Sequence, residues 1–150
     1  MSVSGTGIEV MVAAALSGLT AQCLKLIGYA IQRKPVNFRV LVETGGMPSS
    51  HSASMTGLAF SVGLVSGFSS VDFAIAAGLA LIVMYDAAGV RRAAGRMAGI
   101  LNKMTEEIYH HESGHVPERL RELLGHTPKE VVVGAMLGIL IAYWVHVRML

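Results

Sequence analysis

The sequence predicts an all-α integral-membrane helical bundle of about four transmembrane helices plus one short interfacial helix. Three observations lead there. Hydrophobic residues make up 53% of the 150 and charged residues only 15%, against about 25% charged in an ordinary soluble domain. The apolar residues are gathered into four runs of spanning or near-spanning length. Of the 12 Lys and Arg residues, all but Lys25 and Arg148 lie between those runs rather than in them. A chain of this length is expected to form one domain, residues 1–150.

The first run covers residues 8–31 and is long enough to cross a bilayer with some tilt. The seven residues before it hold no Lys or Arg, which a secretory signal requires, so the run is expected to remain as a span. The single Cys23 lies in it and can form no internal disulfide. Lys25, in its last third, either snorkels to the nearer interface or points inward at a site. Residues 32–42 form a basic connector with Arg33, Lys34, Pro35 and Arg39. The second run, 52–68, is rich in Gly, Ala and Ser, which let helices approach closely in lipid. Residues 67–70 are a tight turn. The third run is 71–90, with Asp86 in its last turns and Arg91, Arg92 and Arg96 directly after. Asp86 inside a span is costly unless paired, and a salt bridge to Arg91 or Arg92 is its expected role. Residues 102–125 are polar. Within them 117–124 reads as a short amphipathic helix, with Pro117 in its first turn and Gly125 just past its end. The fourth run is 131–147. No internal repeat is present.

Both basic connectors fall on one side of the membrane, because the 67–70 turn between the second and third runs has no Lys or Arg. The positive-inside rule makes that side cytoplasmic. The same topology brings residues 45–51, 86–92 and 125–130 to one depth at one face.

Two of those segments carry chemistry. In Gly45-Gly46-Met47-Pro48-Ser49-Ser50-His51, the glycines and proline exclude a regular helix, and Ser49 or Ser50 is a good N-cap for the helix that follows. Free backbone N–H groups beside two hydroxyls and an imidazole suit an anion such as phosphate. The same residues also read as a plain capping turn with an incidental His51. In the other segment, His126 precedes a helix start with Pro128 in its first turn, and Glu130 lies one turn up the same face. A carboxylate there can hold the imidazole ring, so His126 is a candidate nucleophile or base; a solvated His–Glu pair is the alternative. His111-Glu112-Ser113-Gly114-His115 matches the zinc-protease spacing H-E-x-x-H. However, Gly114 inside it and Pro117 just beyond oppose the helix that such a site needs, so a polar loop is expected and no metal.

Pro48-Ser49-Ser50-His51 resembles the Pro-Ser-Gly-His motif of the type-2 phosphatidic acid phosphatases and vanadium haloperoxidases. His126-Thr127-Pro128-Lys129-Glu130-Val131, with Gly134, resembles their last motif. The whole pattern is most similar to the small divergent branch of that superfamily, an integral-membrane family of unassigned function. Its hallmarks include Tyr85-Asp86-Ala87-Ala88-Gly89-Val90-Arg91-Arg92 with Asn102, and Gly125-His126-Thr127-Pro128. The resemblance spans about residues 25 to 142, and the ordered combination is far more specific than any one piece.

The resemblance implies that His126 attacks phosphorus to form a phosphohistidine, that Glu130 orients His126, and that His51 protonates the leaving oxygen. Ser49 and the amides of the turn, Gly46 and Ser50 included, would bind phosphate oxygens. Lys34, Arg91 and Arg92 would neutralise charge. Arg91 and Arg92 serve equally as a cytoplasmic anchor. The chain departs from the superfamily pattern in several places. Ser50 replaces Gly, and Glu130 replaces Asp. Leu120, between Arg119 and Arg121, stands where the superfamily has an Arg. Lys25, Arg33, Lys34 and Pro35 only approximate its first motif, Lys-x6-Arg-Pro.

The function expected is a multi-pass cell-membrane phosphohydrolase with its site on the cytoplasmic face. It would act on a lipid or polyprenyl phosphate, with no cofactor and no nucleic-acid partner. A homodimer is expected to complete the site, since larger superfamily members use more helices. The alternative is a non-catalytic member of the same fold, a phosphate-headgroup binder or structural membrane protein. A transporter is disfavoured, because the polar groups gather at one face rather than at the midplane.

Overall fold

The computed structural model describes residues 5–31, 46–109, 120 and 126–149, without the side chains of residues 90–92, 108 and 109. Among the described residues five helices follow one another: α1 (Gly7–Ile31), α2 (Ser50–Ser66), α3 (Val71–Ala88), α4 (Val90–Tyr109) and α5 (Pro128–Met149). The basic connector at 32–42, the expected helix at 117–124 apart from Leu120, and the His111–His115 pattern lie outside the described residues.

The bundle is small-residue inside and large-residue outside. Ala13, Ala21, Ala53 and Ala142 are fully buried, while Met11, Leu19, Ile75, Ile82, Leu140 and other large apolar side chains face outward. Water would drive the opposite arrangement; lipid permits this one, because helices in lipid associate by close packing rather than by hiding large side chains. The protein is an all-α integral-membrane bundle. Among the described residues three stretches are long and apolar enough to cross a membrane: Gly7–Ile31, Val71–Glu107 and Pro128–Met149. At 17 residues, α2 is shorter, roughly 25 Å at 1.5 Å per residue.

α2 is nonetheless the central helix, packed against α1, α3 and α5. Its glycines and serines make this possible. A β-carbon at Gly57 would run into Ser17 of α1, and one at Gly138 of α5 would run into the Ala53 carbonyl, Thr56 Oγ1 and the Gly57 amide. One at Gly134 would strike the backbone of Ser49. Hydroxyls tie the helices where they touch. Thr56 Oγ1 donates to the Ala135 carbonyl of α5 at 3.1 Å, and Ser17 Oγ of α1, bonded to the Ala13 carbonyl of its own helix at 2.7 Å, also lies 3.5 Å from the Gly138 carbonyl of α5.

The expected turn at 67–70 is present. Gly67 caps α2 with φ of 91°, Ser70 N–H donates to the Gly67 carbonyl at 3.1 Å, and Ser70 Oγ accepts from Phe73 N–H to start α3. Phe60, Phe68 and Phe73 close over it with ring centroids 5.5 and 5.1 Å apart. The third run is corrected at its far end. α3 stops at Ala88, where Gly89 N–H returns to the Tyr85 carbonyl at 2.8 Å. A new helix then carries Arg91, Arg92 and Arg96 and continues through Asn102 to Tyr109, so the first part of the supposed polar connector 102–125 is helical. α1 and α5 are also pinned at the end remote from His126. Fully buried Glu9 holds His146 Nδ1 at 2.6 Å and accepts Gly5 N–H at 2.7 Å.

Candidate functional site

The site is assembled from the start of α2, the end of α3, the start of α5 and the last turns of α1. Ser49 is the N-cap of α2. Its Oγ accepts from Ser52 N–H at 3.4 Å and from Ser52 Oγ at 3.0 Å, so one of the orphan amides of the first turn is satisfied. Ser49 N–H donates across to the Glu130 carbonyl of α5 at 3.1 Å. Gly46 precedes this turn with φ of 79°, a conformation that suits glycine; the hydroxyl of Tyr29 from α1 stands 3.8 Å from where a β-carbon there would be.

α5 starts with a capping box. Thr127 Oγ1 accepts from Glu130 N–H at 3.4 Å, and Glu130 Oε2 accepts from Thr127 N–H at 3.1 Å, with Pro128 in the first turn. The same Oε2 lies 3.0 Å from His126 Nδ1. His126 is 1% exposed, and its N–H donates to the Ala87 carbonyl at the end of α3 at 3.0 Å. Ring and backbone are thus both fixed. With Nδ1–H donated to the carboxylate, the lone pair sits on Nε2, the nitrogen that nucleophilic or general-base chemistry would use. Lys25, reaching from α1, is 2% exposed and lies within electrostatic reach of Glu130. Of its two expected orientations, the structure gives the inward one.

The expected residues divide as follows. His126, Glu130, Ser49 and Ser50 come together where α2 and α5 begin, Gly46 lies just before them, and Ser49 and Ser50 are buried. His51 occupies the exposed side of the same first turn of α2. Asp86 is half-buried in the last turn of α3, beside Ala87, which holds His126. Arg91 and Arg92 start α4 next to this junction, with side chains outside the description, and Lys34 lies outside the described residues. The capping box is a role of Glu130 beyond that of partner for the imidazole, the one role expected from the sequence. Its signal, Thr followed three residues later by Glu before an apolar run, stands in the sequence.

Comparisons with known proteins give the family. The pattern of the divergent PAP2 family matches residues 7–141. A Bacillus subtilis (strain 168) protein described as the uncharacterized membrane protein YuiD is 41% identical over 132 residues, covering 81% of this chain and 83% of that relative. No solved structure matches. The match takes in every element that builds the site, from α1 to most of α5, and on it the chain belongs to the divergent PAP2 family.

Proposed function

We propose that the protein is a membrane phosphohydrolase that removes phosphate from a lipid or polyprenyl phosphate through a phosphohistidine. The observation that carries this reading is the buried His126 ring, held through Nδ1 by Glu130 at 3.0 Å where two helices begin. A lone solvated His–Glu pair would not be buried, bonded through its own backbone to another helix, and flanked by an inward-pointing lysine. Helix starts carry partial positive charge, so the start of α2 and the start of α5 together with Lys25 form a setting for a phosphate dianion.

In the proposed sequence His126 Nε2 attacks phosphorus while the ester P–O bond breaks. His51 gives its proton to the leaving oxygen. Water then attacks the phosphohistidine, His51 takes a proton from it, and orthophosphate leaves with His126 restored. Lys25, Arg91 and Arg92 balance the charge that develops on the phosphoryl oxygens. By the positive-inside rule the site faces the cytoplasm, and a homodimer completes its walls. Turnover of a panel of lipid phosphates by the purified protein, lost in His126→Ala, is the expected result; an unchanged rate in that variant would end this reading.

A second reading draws on Ser49 and His51. The Ser49 hydroxyl is already engaged in capping α2, and His51 lies on the exposed side of its turn. A phosphate-headgroup binder without turnover would need no more than the amides and cations. Vanadate or phosphate binding with no hydrolysis of any ester would favour it.

A further inference from the structure

α4 has two faces with different surroundings. Gly95, Ala98 and Asn102, spaced by three and four residues, are buried. Asn102 clamps the backbone of Leu120, donating from Nδ2 to its carbonyl at 2.8 Å and accepting its N–H on Oδ1 at 2.9 Å. Elsewhere round the helix Met97, Ile100, Leu101 and Met104 stand at i, i+3, i+4 and i+7, each at least half exposed. Exposed Arg96 and Lys103 border that stripe, with exposed Glu107 one turn beyond Met104 at its end. Among the described helices, α4 packs only against α3.

What covers the stripe follows from where α4 begins. α3 is 18 residues long, roughly 27 Å, which nearly fills a hydrocarbon core of about 30 Å. Carried on to Glu107, the run would be 37 residues, roughly 55 Å, far more than the core accepts. The last turn of α3 presents Tyr85, 78% exposed, an aromatic of the kind that sits at headgroup level. The chain breaks at Gly89, and Arg91 and Arg92 follow. α4 also carries Arg96, Lys103, Glu106 and Glu107, too many charges for the hydrocarbon. It therefore starts at the membrane surface, where α3 ends.

We propose that α4 lies in the membrane surface, its stripe of Met97, Ile100, Leu101 and Met104 sunk into the headgroup–acyl boundary of the bilayer that α3 crosses, with Arg96 and Lys103 at the lipid phosphates. An apolar stripe bordered by basic residues is the pattern of a helix held in that layer. The proposal does not rest on the phosphatase reading, and it gives the bundle a basic, membrane-parallel arm beside the junction that holds His126.

The test uses the full chain in nanodiscs with anionic lipid, in a Cys23→Ser background, since Cys23 is exposed. Single cysteines replace Met97, Ile100, Leu101, Met104, Arg96 and Lys103, one at a time, and carry an environment-sensitive fluorophore. Lipid brominated on its acyl chains should quench the first four several-fold more than positions 96 and 103, and aqueous iodide should show the reverse order. Iodide reaching the stripe as readily as position 103 would overturn the proposal. Protection of the stripe from both quenchers would overturn it too, because a second copy or another part of this chain would then be the cover. In a double variant, Ile100→Asp with Met104→Asp, the label at position 97 should pass from lipid to iodide quenching while elution volume and helical content stay unchanged. Persistent lipid quenching there in the folded variant would also overturn it, and the single-cysteine series decides the matter should that variant fail to fold.

Discussion

At the scale of residues, one carboxylate oxygen of Glu130 meets both the His126 ring and the Thr127 amide, and Lys25 lies within its field. The capping box gives the extra methylene of Glu over Asp a physical purpose, since the side chain must reach back to the start of its own helix. Phosphohistidine chemistry makes the two histidines fail differently. His51→Ala should slow hydrolysis of ordinary esters roughly 10²–10⁴-fold, the usual worth of a general acid, and an aryl phosphate with a good leaving group should restore much of the loss. His126→Ala should gain nothing from that substrate, and Glu130→Gln should fall between them. Steady-state rates on the two substrate types check this; equal rescue of both histidine variants would contradict it. Much of the site was legible at this scale, because imidazole, hydroxyl and glycine at short fixed spacings have local geometric meaning. The orientation of Lys25 was not legible: the side chain is long enough to snorkel or turn inward, and only the packing of neighbouring helices decides.

At the scale of elements, close approach is the organising fact. Gly138→Ala places a β-carbon against the Ala53 carbonyl and Gly57 amide, which are backbone and cannot move aside. It should destabilise the bundle by about 1–3 kcal/mol, the usual cost of overpacking. Gly78→Ala in α3 meets open space and should be neutral or slightly stabilising; thermal unfolding of both variants in the same detergent makes the comparison. The Glu9–His146 contact makes a second expectation. His146→Ala leaves a fully buried carboxylate without its ring partner, a loss of about 3–5 kcal/mol for a broken buried pair, partly recovered when Glu9→Gln is added. A drop in unfolding temperature with no recovery in the double variant would argue that His146 acts by packing alone. Nothing local in the sequence announces this pair, whose members are 137 residues apart. α4 is a different case. Its apolar stripe at 97, 100, 101 and 104 has clear helical spacing, but Gly89, Gly95 and the arginines read more readily as the end of a span than as the start of another helix.

At the scale of the whole molecule, the two ends of the bundle differ. One gathers His126, Glu130, Lys25 and the start of α4; the other holds Glu9 and His146, with Arg148 over the Trp144 ring at 5.8 Å. The meeting of the 46–51, 86–92 and 126–130 segments was legible from span count and charge, since the pair of crossings made by α2 and α3 returns the chain to the face it left. The orientation of that face is a separate prediction. In intact cells lacking Cys23, a membrane-impermeant thiol reagent should label a cysteine placed at Ser69 and spare one placed at Lys103 until the membrane is opened. The reverse pattern would put the His126 end outside. The central claim is that His126 takes the phosphoryl group, and the most direct measurement is to trap it. Purified protein mixed with a radiolabelled lipid phosphate and quenched in base, where phosphohistidine survives, should yield one labelled peptide containing His126, and none from His126→Ala. Hydrolysis without any labelled His126 peptide, or label that persists in His126→Ala, would contradict the account.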